Sequence, residues 1–333
     1  MLAKEIIQRV REIQVRTGRQ VADVLAGQYV SVFKGRGVEF DEVRPYVPGD
    51  EVRSIDWNVT ARLGAPYVKR YVEERQLTLM LMADISASQD FGSAGRSKRE
   101  AAAELCALLA FSATYNDDKV GLTLFHGGIE QYIPARKGQK HALRVVREVL
   151  SHASRFAPAF GAPPRPVRRL PWGGKRTWWR LGRPGLLGRP GRSGRQATNI
   201  AGAMEFLLSV SKRKTVCFVV SDFYDDHYMH ALRMANRKHD VIAVLITDPR
   251  EFDLPAVGLV QFVDAESGQI VACDTDSAKF RRTFQELSRQ RIQGLEHAFR
   301  RAKIDFVHID AAGSVVDPLA RFFRMREKKR RHR

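Results

Sequence analysis

Short apolar runs alternate with amphipathic stretches of helix length along most of the chain. The apolar runs lie at residues 77–85, 119–126, 215–222, 240–248 and 304–309. Runs of this kind are typical of strands that are buried on both faces of a parallel sheet. Helical periodicity is found at residues 97–116, 139–153, 198–210, 224–238 and 277–303. The alternation predicts an α/β domain at residues 76–310, with a doubly wound, mostly parallel sheet.

Two glycines predict an antiparallel strand at the edge of this sheet. Gly127-Gly128 joins the run at 119–126 to a second strand-like run, Ile129–Ala135, and a two-residue glycine connection favours a tight hairpin. A second hairpin is expected at residues 258–273, turning at Glu266-Ser267-Gly268. A short helix is expected at residues 317–323.

The N-terminal quarter of the chain has a different pattern. Residues 1–27 have apolar side chains at helical spacing and predict an amphipathic helix. Residues 28–75 predict a small β-rich module, because Pro48-Gly49 favours a turn and both Val52–Trp57 and Tyr67–Val72 alternate like strands.

The net charge of +19 is concentrated in two segments. An insertion at residues 161–196 holds ten Lys or Arg with three Trp and no acid, and residues 321–333 of a basic tail at 311–333 carry +7. These segments suit single-stranded nucleic acid, an anionic lipid surface or an acidic protein, and equally a solvated insertion with no dedicated partner. The rest of the chain is nearly neutral.

No apolar stretch approaches the roughly 18 residues that cross a bilayer, and residues 1–20 lack the features of a secretion signal. Three widely separated cysteines show neither disulfide nor zinc spacing, and two of them lie in apolar runs. We therefore expect a soluble protein in the cytoplasm.

Polar residues with oxygen ligands follow two of the predicted buried strands. Asp84, Ser86 and Ser88 follow the first, Thr198 opens a helix, and Asp222 ends a later strand. Neighbouring strand ends meet at the topological switch point of a doubly wound sheet, so these five residues are expected to converge. Carboxylate and hydroxyl oxygens suit Mg²⁺ or another hard divalent cation. The simpler alternative is that Asp84 and the two serines only cap the next helix.

The Asp84-x-Ser86-x-Ser88 triplet, together with Thr198 and Asp222, resembles the metal-ion-dependent adhesion site of von Willebrand factor A domains. The preceding segment resembles the bacterial family called domain of unknown function 58. That signature is Gly35-x-Gly37-x-Glu39-Phe40-x-Glu42-x-Arg44-x-Tyr46-x-Pro48-Gly49-Asp50-x-x-Arg53-x-Ile55-Asp56-Trp57. The resemblance covers roughly residues 27–248 and, more loosely, the remainder, and the basic insertion and tail depart from it.

The resemblance implies a non-enzymatic adaptor that works with a MoxR-type AAA+ ATPase and a client protein in chaperone-like assembly. It implies that Asp84 and Asp222 anchor Mg²⁺, that Ser86, Ser88 and Thr198 add neutral oxygens, and that a partner carboxylate completes the coordination. A metal-dependent hydrolase using Asp84 and Asp222 is the competing enzyme hypothesis. We expect no enzyme, because the sequence shows no Ser–His or Cys–His pairing and no phosphate-binding glycine loop.

Overall fold

A six-stranded sheet forms the centre of the chain in the computed structural model, which describes residues 38–73, 77–151, 198–264 and 270–331. The described residues form the strands β1 Val38–Pro45, β2 Tyr67–Glu73, β3 Thr78–Asp84, β4 Lys119–Phe125, β5 Ile129–Arg136, β6 Val216–Ser221, β7 Asp240–Thr247, β8 Leu259–Val263, β9 Ile270–Asp274 and β10 Asp305–Asp310. The α-helices are α1 Trp57–Leu63, α2 Lys98–Tyr115, α3 Gln139–Ser151, α4 Ile200–Val210, α5 Met229–Lys238, α6 Ala278–Arg301 and α7 Val316–Arg331. The N-terminal helix predicted at residues 1–27 and the insertion at 161–196 lie outside the described residues.

The central sheet has the order β10–β7–β6–β3–β4–β5. All neighbours are parallel except β4 and β5, which form an antiparallel hairpin, so the predicted antiparallel edge strand is confirmed. From β3 the chain first builds toward β5 and then returns to add β6 on the other side. The topological switch point therefore lies between β3 and β6.

Helices cover both faces of this sheet. In β3, Leu79 and Leu81 pack into a core with α2, α3 and α7, whereas Met80 and Met82 pack into a second core with α4, α5 and α6. Successive side chains of a strand point to opposite faces, so a strand covered on both sides must be apolar throughout. This explains the uninterrupted apolar run and confirms a doubly wound, mainly parallel arrangement.

The described part of the N-terminal module contains one antiparallel pair, β1 and β2, and the short helix α1. The predicted strand at Val52–Trp57 is wrong, because Val52–Ser54 forms a 3₁₀ turn and α1 begins at Trp57. The Asp56 side chain accepts hydrogen bonds from the backbone N–H groups of Asn58 and Val59, which caps α1 and ends the extended conformation.

Two helix predictions also need correction. The helix predicted at 224–238 begins only at Met229, and Phe223 and His227 before it have positive φ angles of 54° and 65°. The helix predicted at 317–323 is α7, which continues to Arg331, so most of the predicted basic tail is helical.

Three further features can be compared with the structure. The hairpin predicted at 258–273 is confirmed by the antiparallel pair β8–β9, although its turn lies outside the described residues. Cys106 and Cys217 are buried free thiols, and Cys273 is partly buried and also free. Among the helices that the structure describes, none is both long and apolar enough to cross a membrane.

Candidate functional site

Two aspartates meet at the carboxyl ends of adjacent strands. Asp84 is the last residue of β3, and Asp222 directly follows β6, which pairs with β3 in parallel. The two side chains are buried, with exposed fractions of 2% and 0%. A buried pair of carboxylates at the switch point requires positive charge or hydrogen-bond donors close by.

The loop after β3 folds back over Asp84. The backbone N–H of Ser86 donates to Asp84 Oδ1 at 2.8 Å, and a 3₁₀ turn follows at Ala87–Asp90. The hydroxyls of Ser86 and Ser88 lie 3.0 Å apart. Ser86 is buried and Ser88 is partly exposed, so this loop presents a row of oxygen ligands from the interior to the surface.

Thr198 reaches the same cluster from the start of α4. Its hydroxyl lies 3.5 Å from Asp84 Oδ2. The backbone N–H of Asn199 donates to His126 O at 2.7 Å, and its side chain caps α4 by accepting from Gly202 N. The structure therefore brings together all five residues that the sequence placed at this site.

Three further residues belong to the cluster and were missed. Ser221 Oγ donates to Asp84 Oδ2 at 2.7 Å. Lys98 Nζ lies 2.9 Å from Asp222 Oδ2 and 2.7 Å from Glu251 Oε1, and its side chain is only 2% exposed. The ammonium group of Lys98 thus links the carboxylate after β6 to a third carboxylate, which follows β7.

A sequence signal for Lys98 did exist. α2 begins with Lys98 and Arg99, although the positive end of the helix dipole disfavours cations there. Both residues are buried and each contacts a carboxylate, Arg99 through Asp90 Oδ1 at 2.6 Å. Arg99 also donates to the carbonyls of Ile85 and Ser86, which fixes the loop that follows β3.

The two aspartates have opposite electrostatic character. Burial, followed by the negative charge of Asp222, raises the pKa of Asp84 to about 6. Burial alone would also raise the pKa of Asp222, but the charge of Lys98, together with hydrogen bonds from Lys98 and Ser88, lowers it below its ordinary value. Of the two aspartates, Asp84 is therefore the one whose negative charge is less compensated.

An aromatic and basic rim adjoins the cluster. The guanidinium of Arg291 lies 3.5 Å from the centre of the Tyr224 ring and donates to the carbonyl of Asp222. Tyr224 is 39% exposed, and Phe91, on the loop after Ser88, is 48% exposed. The rim combines apolar surface with a fixed positive charge beside the buried carboxylates.

The family of the chain follows from its similarity to known sequences. Residues 42–293 match the family described as protein of unknown function DUF58. An uncharacterised protein of Mycobacterium tuberculosis is 30% identical over 270 residues, which cover 81% of this chain and 74% of that protein. The chain belongs to the DUF58 family. An uncharacterised protein of Mycobacterium bovis shows the same identity and coverage as the M. tuberculosis protein.

Two solved structures show a more distant likeness to this DUF58 chain. A conserved hypothetical protein, BatB from Bacteroides thetaiotaomicron, is 15% identical with a TM-score of 0.42, covering 76% of this chain and 99% of its own. An aerotolerance-related membrane protein from Bacteroides fragilis is 13% identical with a TM-score of 0.40, covering 76% of this chain and 100% of its own.

The chemistry of the cluster in this DUF58 chain suits a hard divalent cation. Two carboxylates and three hydroxyls converge, and all of their ligand atoms are oxygens, as Mg²⁺ prefers. Within the part of the chain that the structure describes, no group of three or more His, Cys, Asp or Glu is placed to hold a metal. A cation at this site would therefore depend on the hydroxyls of Ser86, Ser88 and Thr198 as well as on Asp84 and Asp222.

Proposed function

We propose that this DUF58 chain is a non-catalytic, metal-dependent protein-binding module. Mg²⁺, or another divalent cation, would be held by Asp84, Ser86, Ser88, Thr198 and Asp222. The observation that carries the proposal is the convergence of these five residues at the switch point between β3 and β6. If Asp84 and the two serines only capped the next helix, there would be no reason for two buried carboxylates from different strands to meet.

The strand order supports a von Willebrand A-like fold as part of this proposal. Five parallel strands, an antiparallel edge strand and ligands from the ends of β3 and β6 are the features expected of such a domain. The resemblance of the Asp84-x-Ser86-x-Ser88 triplet to a metal-ion-dependent adhesion site supports the same assignment.

The proposed mechanism is binding through an incomplete coordination shell. When bound, the cation supplies an open position for an anionic group of the partner. Asp84 and Asp222 provide the negative charge, whereas the three hydroxyls leave the cation electron-poor. Arg99 keeps the loop of Ser86 in place, and Phe91 and Tyr224 offer apolar contacts beside it.

The proposed partner is a MoxR-type AAA+ ATPase in the cytoplasm, with the chain acting as an adaptor for a client protein. This part of the proposal rests on the family resemblance. An acidic side chain of the ATPase or of the client would complete the site, because a carboxylate is the ligand that a partly coordinated Mg²⁺ accepts most readily.

A pulldown against the AAA+ ATPases of the cell tests this function. Wild type should capture the partner in Mg²⁺ and lose it in EDTA, and Asp84→Asn should lose it in both. Asp117→Asn is the matched control, because Asp117 is exposed and lies at the opposite end of the sheet, before β4. Capture that is insensitive to EDTA and to Asp84→Asn would exclude the metal-bridged mechanism. Phosphatase activity of wild type that Asp84→Asn abolishes would instead favour the hydrolase.

A second candidate function is nucleic-acid binding at the other end of the sheet. A groove between the C-terminal end of α6 and α7 is lined by exposed cations that make no ion pair with a described residue. These are Lys303, Arg321, Arg324 and Lys328. Their concave arrangement suits a phosphate backbone better than a flat lipid surface. Steeply salt-dependent binding of single-stranded DNA or RNA, weakened by Arg321→Gln with Arg324→Gln, would support it.

A further inference from the structure

Lys98 is a cationic side chain buried inside a site that is itself proposed to bind a cation, which is unusual. Its side chain is 2% exposed, and its ammonium group contacts the carboxylates of Asp222 and Glu251 at 2.9 and 2.7 Å. A lysine is rarely buried to this extent unless its charge is compensated. Here two carboxylates from different loops provide that compensation.

The charges around Lys98 do not cancel. Asp84, Asp222 and Glu251 contribute three carboxylates, whereas two cations lie against them: the ammonium of Lys98, which contacts Asp222 and Glu251, and the guanidinium of Arg291, which donates to the carbonyl of Asp222. The ammonium lies 2.9 Å from one carboxylate oxygen and 2.7 Å from the other, so both hydrogen bonds are charge-assisted and favour the charged form of Lys98. The ammonium therefore stays charged, and excess negative charge remains on the side of Asp84.

We infer that Lys98 is a built-in cation that competes with the divalent cation for Asp222, and that it thereby sets the metal affinity of the site. This inference rests on the proposed function, because it concerns the same five ligands. Without a metal, Lys98 holds Asp222 in place and keeps the site folded. With a metal, the ammonium repels it and weakens its binding.

Glu251 should act in the opposite direction. Its carboxylate draws the ammonium away from Asp222, so it leaves Asp222 more available to a metal. The two residues therefore have opposite effects on the metal affinity of the site. The loss of Lys98 should tighten metal binding, and the loss of the Glu251 charge should weaken it. Damage to the fold alone would weaken binding in both variants.

The test is titration of the metal-free full chain with Mn²⁺, followed by electron paramagnetic resonance or calorimetry. Lys98→Met should bind Mn²⁺ at least about tenfold more tightly than wild type, since a repelling charge has been removed at close range. Glu251→Gln should bind it more weakly. Lys137→Met is the matched control, because Lys137 pairs with the exposed Asp117 away from the site, and it should bind as wild type does.

Thermal unfolding supplies the second measurement. Lys98→Met should melt at a lower temperature than wild type in EDTA, because Asp222 and Glu251 lose their cation. Saturating Mn²⁺ should raise its melting temperature by more than it raises that of wild type. If Lys98→Met does not fold without metal, the Mn²⁺ affinity of Glu251→Gln decides the inference.

The outcomes separate this inference from the proposed function. Mn²⁺ binding by wild type that Asp84→Asn abolishes, with Lys98→Met no tighter than wild type, would overturn the role of Lys98 alone. Glu251→Gln that binds as tightly as wild type would overturn it as well. Absence of Mn²⁺ binding in wild type and Lys98→Met, both folded, would overturn the proposed metal site itself.

Discussion

Ser221 and Asp84 connect the two strands on either side of the switch point. Ser221 Oγ donates a 2.7 Å hydrogen bond to Asp84 Oδ2 and also accepts one from the backbone N–H of Phe223. Both side chains are buried. One hydroxyl therefore orients the carboxylate at the end of β3 and, at the same time, the turn that carries Asp222.

Ser221→Ala should destabilise the fold. The substitution leaves Asp84 Oδ2 and the N–H of Phe223 without this partner in a buried place, which costs about 1–3 kcal/mol. Ser112→Ala is the control, because Ser112 is equally buried but donates only to the carbonyl of Leu108, one turn earlier in α2. Urea unfolding of both variants is the measurement. Equal losses of unfolding free energy would show that the hydroxyl of Ser221 stabilises the fold no more than that of Ser112.

The metal-free protein should lose stability as the pH rises from about 4 to 6. The pKa of Asp84 is raised to about 6 from an ordinary 3.8, so the folded state holds a proton that the unfolded state releases in this range. Fewer protons bound by the unfolded state means that the free energy of unfolding falls with pH, here by about 3 kcal/mol in total.

Asp84→Asn isolates this effect from other titrating groups. In EDTA the variant should be the more stable protein at pH 7.5, and its advantage should shrink toward pH 4. Urea unfolding of both proteins across this range gives the difference. A difference that does not change with pH would contradict the assignment of the raised pKa to Asp84.

The central sheet was predictable because its strands are covered on both faces. The apolar runs of β3, β6 and β7 are shorter than a typical buried helix, so their length favours strands, and the glycines after β4 favour the hairpin. Val52–Trp57 was misjudged for a local reason. Its alternation is real, but Asp56 satisfies the first N–H groups of α1, and a cap of this kind overrides a six-residue alternation.

The candidate site was only partly predictable. Asp84 ends one apolar strand and Asp222 directly follows its neighbour, so the topology alone brings them together. Lys98 contacts Glu251 across 153 positions of the chain, and no local pattern encodes that contact. The unfavourable placement of two cations at the start of α2 indicates that each needs an acid, but it does not say which one.

Gly92→Ala should damage the loop between Ser88 and Lys98. A Cβ at Gly92 would lie 2.5 Å from the carbonyl oxygen of Arg96 and 2.6 Å from Cα of Ser97, both backbone atoms. Relief of this overlap should cost about 1–3 kcal/mol and, because the loop joins two parts of the site, weaken Mn²⁺ binding. Gly128→Ala is the control, since a Cβ there meets nothing within 4 Å. Unfolding and Mn²⁺ titration of both variants check this, and a Gly92→Ala protein as stable as the control would contradict it.

Arg326→Ala should destabilise the C-terminal part of the fold, although Arg326 lies in a segment that the sequence presents as a basic tail. Its guanidinium lies 2.6 Å from Asp240 Oδ1 and 3.3 Å from Asp305 Oδ2, so it joins α7 to the first residues of β7 and β10. The pairs are partly buried, and their loss should cost about 1–2 kcal/mol. Lys328→Ala is the control, because Lys328 is exposed and makes no ion pair with a described residue. If urea unfolding shows equal stability for the two variants, apolar packing alone holds α7 against the sheet.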